Sequence, residues 1–175
     1  MADAVIAYAR EQGFARPVLV GHGLGGVVAL KIALKAPDLP GRLVLLDSLP
    51  CQAEGEGRRM PVDAAADLAR YVRDGMPASG EATEISQEAR RSNPATVWQA
   101  AAELLATDLR PDLGRIRCPT LVLVTGGGRP VYRRQYRNLP GVRFAFFGRA
   151  RHFLMVDDLD GFTNVLRREL TAPRR

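Results

Sequence analysis

Three places in this 175-residue chain combine residue types that could do chemistry: the run Gly21-His22-Gly23-Leu24-Gly25-Gly26, the aspartate Asp47, and the loop Ala150-Arg151-His152-Phe153. Four glycines in six residues demand either positive φ or a close approach of two backbone segments. With a serine at its centre, the pattern G-x-S-x-G would hold an oxygen nucleophile above a sheet, with the N–H at a helix start behind it to receive an oxyanion. Here Gly23 occupies that centre. Gly21, Gly23 and Gly26 also fit G-x-G-x-x-G, whose backbone cradles a pyrophosphate and which requires an acidic residue about twenty positions on. Asp47 satisfies that requirement, so the glycine run alone leaves acyl chemistry and dinucleotide binding both open.

The elements around these residues narrow the choice. Residues 18–20 are a short apolar strand, and Val27, Val28, Leu30, Ile32 and Leu34 mark a helix from Leu24, stopped by Pro37 and Pro40. Residues 43–46, Leu-Val-Leu-Leu, form the next strand and end at Asp47. A helix over 3–12, stopped at Gly13, precedes the first strand. Strand signals then cease until Cys118. Residues 62–73 carry a helical apolar pattern, 79–92 are polar and weakly helical, and Asn93-Pro94 opens a helix with Val97, Trp98, Ala101, Leu104 and Leu105 on its apolar side. Strands follow at 120–125 and 142–147, with helices at 132–139 and 161–170. The expected architecture is one α/β domain with a four-stranded parallel sheet, interrupted over 49–117 by a helical insertion that caps the strand ends.

Composition excludes several classes. Hydrophobic residues make up 46% of the chain and charged residues 25%, as in an ordinary globular domain. The net charge of +6 comes from scattered arginines without the interleaved aromatics of a nucleic-acid surface. Two cysteines, Cys51 and Cys118, lie far apart without a CxxC or adjacent histidine, so neither a disulfide framework nor a metal site is expected. The start Met1-Ala2-Asp3 lacks a basic leader and the apolar runs are strand-length, so the expectation is a cytoplasmic protein without a membrane span.

Taken together, PVLVGHGLGG, RLVLLDSLP, TDLRPDLGRIRCPTLVLV and LPGVRFAFFGRARHFLMVDD resemble the C-terminal two-thirds of a cap-bearing α/β-hydrolase of the serine type, from about Asp3 to Leu170. The resemblance implies a carboxylic-ester-hydrolase type of activity, no cofactor, and a small hydrophobic carbonyl compound as substrate. It makes His152 the general base and Leu24 the oxyanion donor through its backbone N–H. The acid that orients the histidine usually follows the strand corresponding to 120–125, but residues 126–129 hold no carboxylate, so Asp47 takes that role as in some hydrolases. Leu68, Val72, Trp98 and Leu105 would line an apolar pocket.

Gly23 leaves the nucleophile position without an oxygen, and Ser48 and Cys51 are off the turn. An inactive or impaired hydrolase is therefore expected, with a dinucleotide-binding domain or a non-catalytic ligand-binding module as alternatives. His22 reads as a packed structural residue, and Asp157 and Asp158 as caps of the last helix. The resemblance also implies that the strand 18–20 lacks a partner on its outer side, so the chain is expected to pair through that edge with a second copy, to recruit a missing N-terminal segment, or to aggregate.

Overall fold

The computed structural model describes residues 1–52, 91, 93–126 and 128–171. Helix α1 (Ala2–Glu11) leads to strand β1 (Val18–His22), helix α2 (Leu24–Lys35) and strand β2 (Arg42–Leu46). Helix α3 (Pro94–Leu105) and a single 3-10 turn (Leu113–Arg115) precede strand β3 (Thr120–Thr125). Helix α4 (Arg129–Gln135), strand β4 (Arg143–Phe147), the short helix α5 (Leu154–Asp157) and helix α6 (Leu159–Thr171) complete the order.

The four strands form one parallel sheet in sequential order, with Val20 opposite Val44, Leu45 opposite Val122 and Leu123 opposite Ala145. This is the sheet expected from the apolar runs. The alternation of side chains explains why those runs are apolar throughout: Leu43, Leu45, Val122 and Val124 pack with Leu30 and Ala33 of α2 and with Tyr132 and Tyr136. Val44, Leu46, Leu121 and Leu123 point the other way, against Leu154 and toward Phe162 and Val165 of α6. Both faces of the sheet are therefore covered by helices, as parallel sheets require. Every side chain of β2 is buried, and truncating Leu45 to alanine would cost about 2–5 kcal/mol.

Arg42 is the polar exception in β2. It meets Glu169 of α6, whose carboxylate also takes Arg143 of β4 at 2.5 Å, so the lower end of the sheet is tied to the last helix by charge. Helix α1 lies on α2 through Ile6, Ala9, Ile32 and Ala36, and Lys35 reaches Asp3 at 2.8 Å. Among the described residues β1 pairs only with β2, and Val20 on it is 47% exposed.

Several boundaries shift from the sequence expectation. The helix expected over 132–139 starts at Arg129 and stops at Gln135, because Pro130 favours the first helical turn. The final helix begins at Leu159, and α5 was not foreseen in the loop before it. Helix α3 starts where Asn93-Pro94 indicated, with the Asn93 side chain accepting from the N–H groups of Ala95 and Thr96. The helical pattern over 62–73, and that over 79–92 apart from Arg91, lie outside the described residues. Helix α3 belongs to the same 49–117 segment; near it Lys31 of α2 donates to Thr107 at 3.1 Å, and Leu104 shares a small cavity of about 50 Å³ with Leu24 and Val28.

Candidate functional site

Strand β1 passes into α2 through Gly23, which has φ 52° and ψ −117°. That conformation is strained for any residue with a Cβ, at a cost of about 1–3 kcal/mol. Two other glycines of the run serve a different purpose. A Cβ on Gly21 would collide with the Gly25 carbonyl, and one on Gly26 with Ser48 on the far side of the turn, so both permit strand and helix to close on each other. The turn is then fixed by two bonds from β2 and the residues after it: Gly23 N–H donates to the Leu46 carbonyl (2.9 Å), and Ser48 Oγ donates to the Gly23 carbonyl (2.8 Å). Leu24 is the first residue of α2, where backbone N–H groups have no acceptor within the helix and the helix dipole is positive.

Asp47 leaves the end of β2 with φ 41°, a left-handed conformation that aspartate tolerates better than most residues. Its N–H still donates to Leu123, extending the ladder by one step. The carboxylate is held by three side chains. Thr125 at the end of β3 donates to Oδ1 at 2.9 Å, Tyr132 of α4 donates to Oδ1 at 2.6 Å, and His152 Nδ1–H donates to Oδ2 at 2.7 Å. Burial pushes the carboxyl pKa up, but the bonds from His152, Tyr132 and Thr125 outweigh it and hold the pKa below the ordinary carboxylate value. Asp47 is thus a stable anion facing an imidazole.

His152 sits in the loop between β4 and α5, and that loop is pinned on both sides of the histidine. Arg151 N–H donates to Asp157 (2.7 Å), and His22 Nε2–H donates to the His152 carbonyl (2.9 Å). The two imidazoles lie 4.2 Å apart between centroids, with Phe153 edge-on to His152. His22 is pushed below its ordinary pKa by burial and by the charge of the His152 ring when protonated, which favours the neutral form that makes this bond. With Nδ1 engaged by Asp47, the other side of the His152 ring faces the turn. A Cβ built on Gly23 would lie 3.3 Å from Cε1 and 3.4 Å from Nε2.

The fold therefore brings together Gly23, Leu24, Asp47 and His152, which are far apart in sequence. Of the expected pocket residues, Leu68, Val72 and the Trp98 side chain lie outside the described residues, and Leu105 is half-buried on α3. Ser48 is fully buried and committed to the turn, and Cys51 is buried with its N–H on Gln135. His22, read as a packing residue, also positions the His152 loop. Asp158 caps α6 through Gly161 N–H (2.9 Å), whereas Asp157 holds Arg151 and not the helix. Thr125 and Tyr132 carried no sequence signal, since only the fold lays them against Asp47.

A dinucleotide fingerprint would need the Asp47 carboxylate turned to a ribose, whereas it is engaged by three groups of the protein itself. Among the described residues no cluster of histidine, cysteine and carboxylate side chains could hold a metal ion. None of their helices is long and apolar enough to cross a membrane.

Comparison with known proteins gives the same architecture. A putative carbamate hydrolase, RutD, from Rhizobium rhizogenes is 31% identical over 192 residues, covering 98% of this chain and 73% of that protein. A hydrolase from Pseudomonas aeruginosa superposes with a TM-score of 0.80 at 21% identity, over 98% of this chain and 71% of that one. An esterase from Exiguobacterium antarcticum superposes with a TM-score of 0.81 at 18% identity, over 98% and 73%. The model of the alpha/beta hydrolase family matches residues 1–165, and the chain belongs to that family.

Proposed function

We propose that the site is of the carboxylic-ester-hydrolase type, with His152 as general base, Asp47 as the acid that orients it, and the Leu24 N–H at the start of α2 as oxyanion donor. Gly23 stands where this chemistry places its nucleophile. The observation that carries the reading is a single line of contacts: Asp47 Oδ2 lies 2.7 Å from His152 Nδ1, and His152 Nε2 lies 3.4 Å from the Cβ position of Gly23. A serine at 23 would bring its oxygen to the imidazole, and the acid behind the ring would stabilise the imidazolium formed on proton transfer. As the chain stands, glycine supplies no oxygen, so no acyl-enzyme forms and ester hydrolysis by that route is lost.

The substrate class is a small hydrophobic carbonyl compound, in keeping with relatives named as a putative carbamate hydrolase and an esterase. A fluorophosphonate probe tests the assignment, because it labels an activated serine and little else. The native chain should remain unlabelled, and Gly23→Ser should take up the probe at residue 23. A Gly23→Ser protein that folds and is not labelled would refute the roles given to Gly23 and His152.

A further inference from the structure

Asp47 accepts three hydrogen bonds from side chains, and they are unevenly shared between its oxygens. Thr125, the last residue of β3, and Tyr132 of α4 both donate to Oδ1, at 2.9 and 2.6 Å, while Oδ2 faces His152 Nδ1 at 2.7 Å. Two donors from different elements on one oxygen fix both the rotamer and the plane of the carboxylate. The tyrosine is itself held in place. It is buried, and its ring stacks at 6.4 Å on that of Tyr136, whose hydroxyl donates to the Ser48 carbonyl at 2.8 Å. Helix α4 is thereby tied to the residue that follows Asp47, and the Tyr132 hydroxyl meets the carboxylate from a fixed direction.

We propose that Thr125 and Tyr132 are positioning residues that set, through Asp47, which nitrogen of His152 carries the proton. The proposal rests on the roles of Asp47 and His152 given above. An ionised carboxylate only accepts hydrogen bonds, so the nitrogen facing it is the protonated one. The neutral ring then carries its proton on Nδ1 and its lone pair on Nε2, the tautomer that a general base oriented by an acid requires. The two hydroxyls contribute in two ways. They stabilise the anion, and are among the causes that keep the Asp47 pKa below the ordinary carboxylate value despite burial. They also hold the group against rotation, so that Oδ2 stays on Nδ1.

Because two donors claim one oxygen, the arrangement distinguishes a carboxylate from an amide. In Asp47→Asn the side-chain oxygen is drawn to Thr125 and Tyr132, since turned the other way both hydroxyls would lose this acceptor. The amide NH2 group then takes the place of Oδ2 and donates to Nδ1, which moves the ring proton to Nε2. With both hydroxyls removed, the amide is free to turn its oxygen toward Nδ1, and the proton returns there. Side chains that merely filled space beside Asp47 would have no such effect on the ring.

The test is nitrogen NMR of the histidine rings in the isotope-labelled chain at alkaline pH, where long-range correlations from the ring protons identify the protonated nitrogen. The sequence holds two histidines, so His22→Gln assigns the spectrum. Native His152 should carry its proton on Nδ1. Asp47→Asn should move it to Nε2, and combining Asp47→Asn with Tyr132→Phe and Thr125→Val should return it to Nδ1. Asp47→Asn with Thr125→Ser, which keeps the hydroxyl, should behave as Asp47→Asn alone. If the triple variant fails to fold, Asp47→Asn with Tyr132→Phe carries the comparison, and a population protonated on Nδ1 should appear. A proton retained on Nδ1 in folded Asp47→Asn, or one that stays wholly on Nε2 after the hydroxyls are removed, overturns the positioning role and leaves the pairing of Asp47 with His152 standing. A native ring protonated on Nε2 refutes that pairing itself, and with it the reading of the site.

Discussion

His22 on β1 donates a hydrogen bond to the backbone carbonyl of His152, 130 residues away, and the two rings lie 4.2 Å apart. The first strand thereby fixes the loop that carries His152. Burial and the neighbouring His152 ring favour the neutral form of His22 and outweigh the bond to the carbonyl, which favours the charged one.

The stability of the chain should therefore respond to pH through His22. Its native pKa is depressed, so below the unfolded value of about 6.5 the unfolded chain binds a proton that the native chain does not. This contribution is complete above that value and declines as pH falls toward the native pKa, with a slope of at most about 1.4 kcal/mol per pH unit. Thermal unfolding between pH 7.5 and 5 should show the decline. His22→Gln, which keeps a donor but cannot titrate, should flatten it; an unchanged slope in that variant would exclude His22 as the cause.

Asp47 should govern a second, more acidic transition. Its native pKa lies below the unfolded value of about 3.9, so its contribution is present above that pH and is lost as pH falls through the native pKa. Tyr132→Phe removes the 2.6 Å bond to Oδ1 and, with it, one reason for the low value. The expected loss at pH 7 is about 1.5–3 kcal/mol, the scale of a hydrogen bond to a charged group. Urea unfolding at pH 7 and at pH 4 measures both: the penalty of the variant should be larger at pH 7, where Asp47 is fully ionised, and smaller at pH 4.

How much of this was readable in the sequence follows from the range of each interaction. The four strands are continuous apolar runs bounded by glycine, proline and aspartate, and both faces of the sheet are covered, so local composition is enough to find and order them. The turn at Gly23 is visible because close packing leaves glycine at Gly21 and Gly26. Thr125 and Tyr132 are different. A threonine closing a strand and a tyrosine in a short helix are common, and only the approach of β3 and α4 to the end of β2 makes them donors to Asp47. The bond from His22 to His152 has the same origin, since no spacing rule connects residues on β1 with a loop after β4. Helix α5 was missed because four residues are too few to show a period.

The closure of β1 on α2 leads to the last prediction. Gly26 faces Ser48 so closely that a methyl group on residue 26 would meet both Oγ and Cβ of the serine. Overpacking of this kind costs about 1–3 kcal/mol when the neighbours cannot retreat, and Ser48 cannot, because it is fully buried and its hydroxyl holds the Gly23 carbonyl at 2.8 Å. Gly26→Ala should therefore destabilise the chain, although alanine is by about 1 kcal/mol the better helix former. Ser48→Ala should not relieve the clash, since its Cβ remains, whereas Ser48→Gly should relieve it at the cost of the bond to the turn. In a double-mutant cycle by urea unfolding, Gly26→Ala should cost less in the Ser48→Gly background than in the native one, a positive coupling that the Ser48→Ala background lacks. Equal penalties in all three backgrounds would mean that the strand and helix move apart to admit the methyl group. The Gly21–Gly26 contact would then not be what holds Gly23 in its strained conformation.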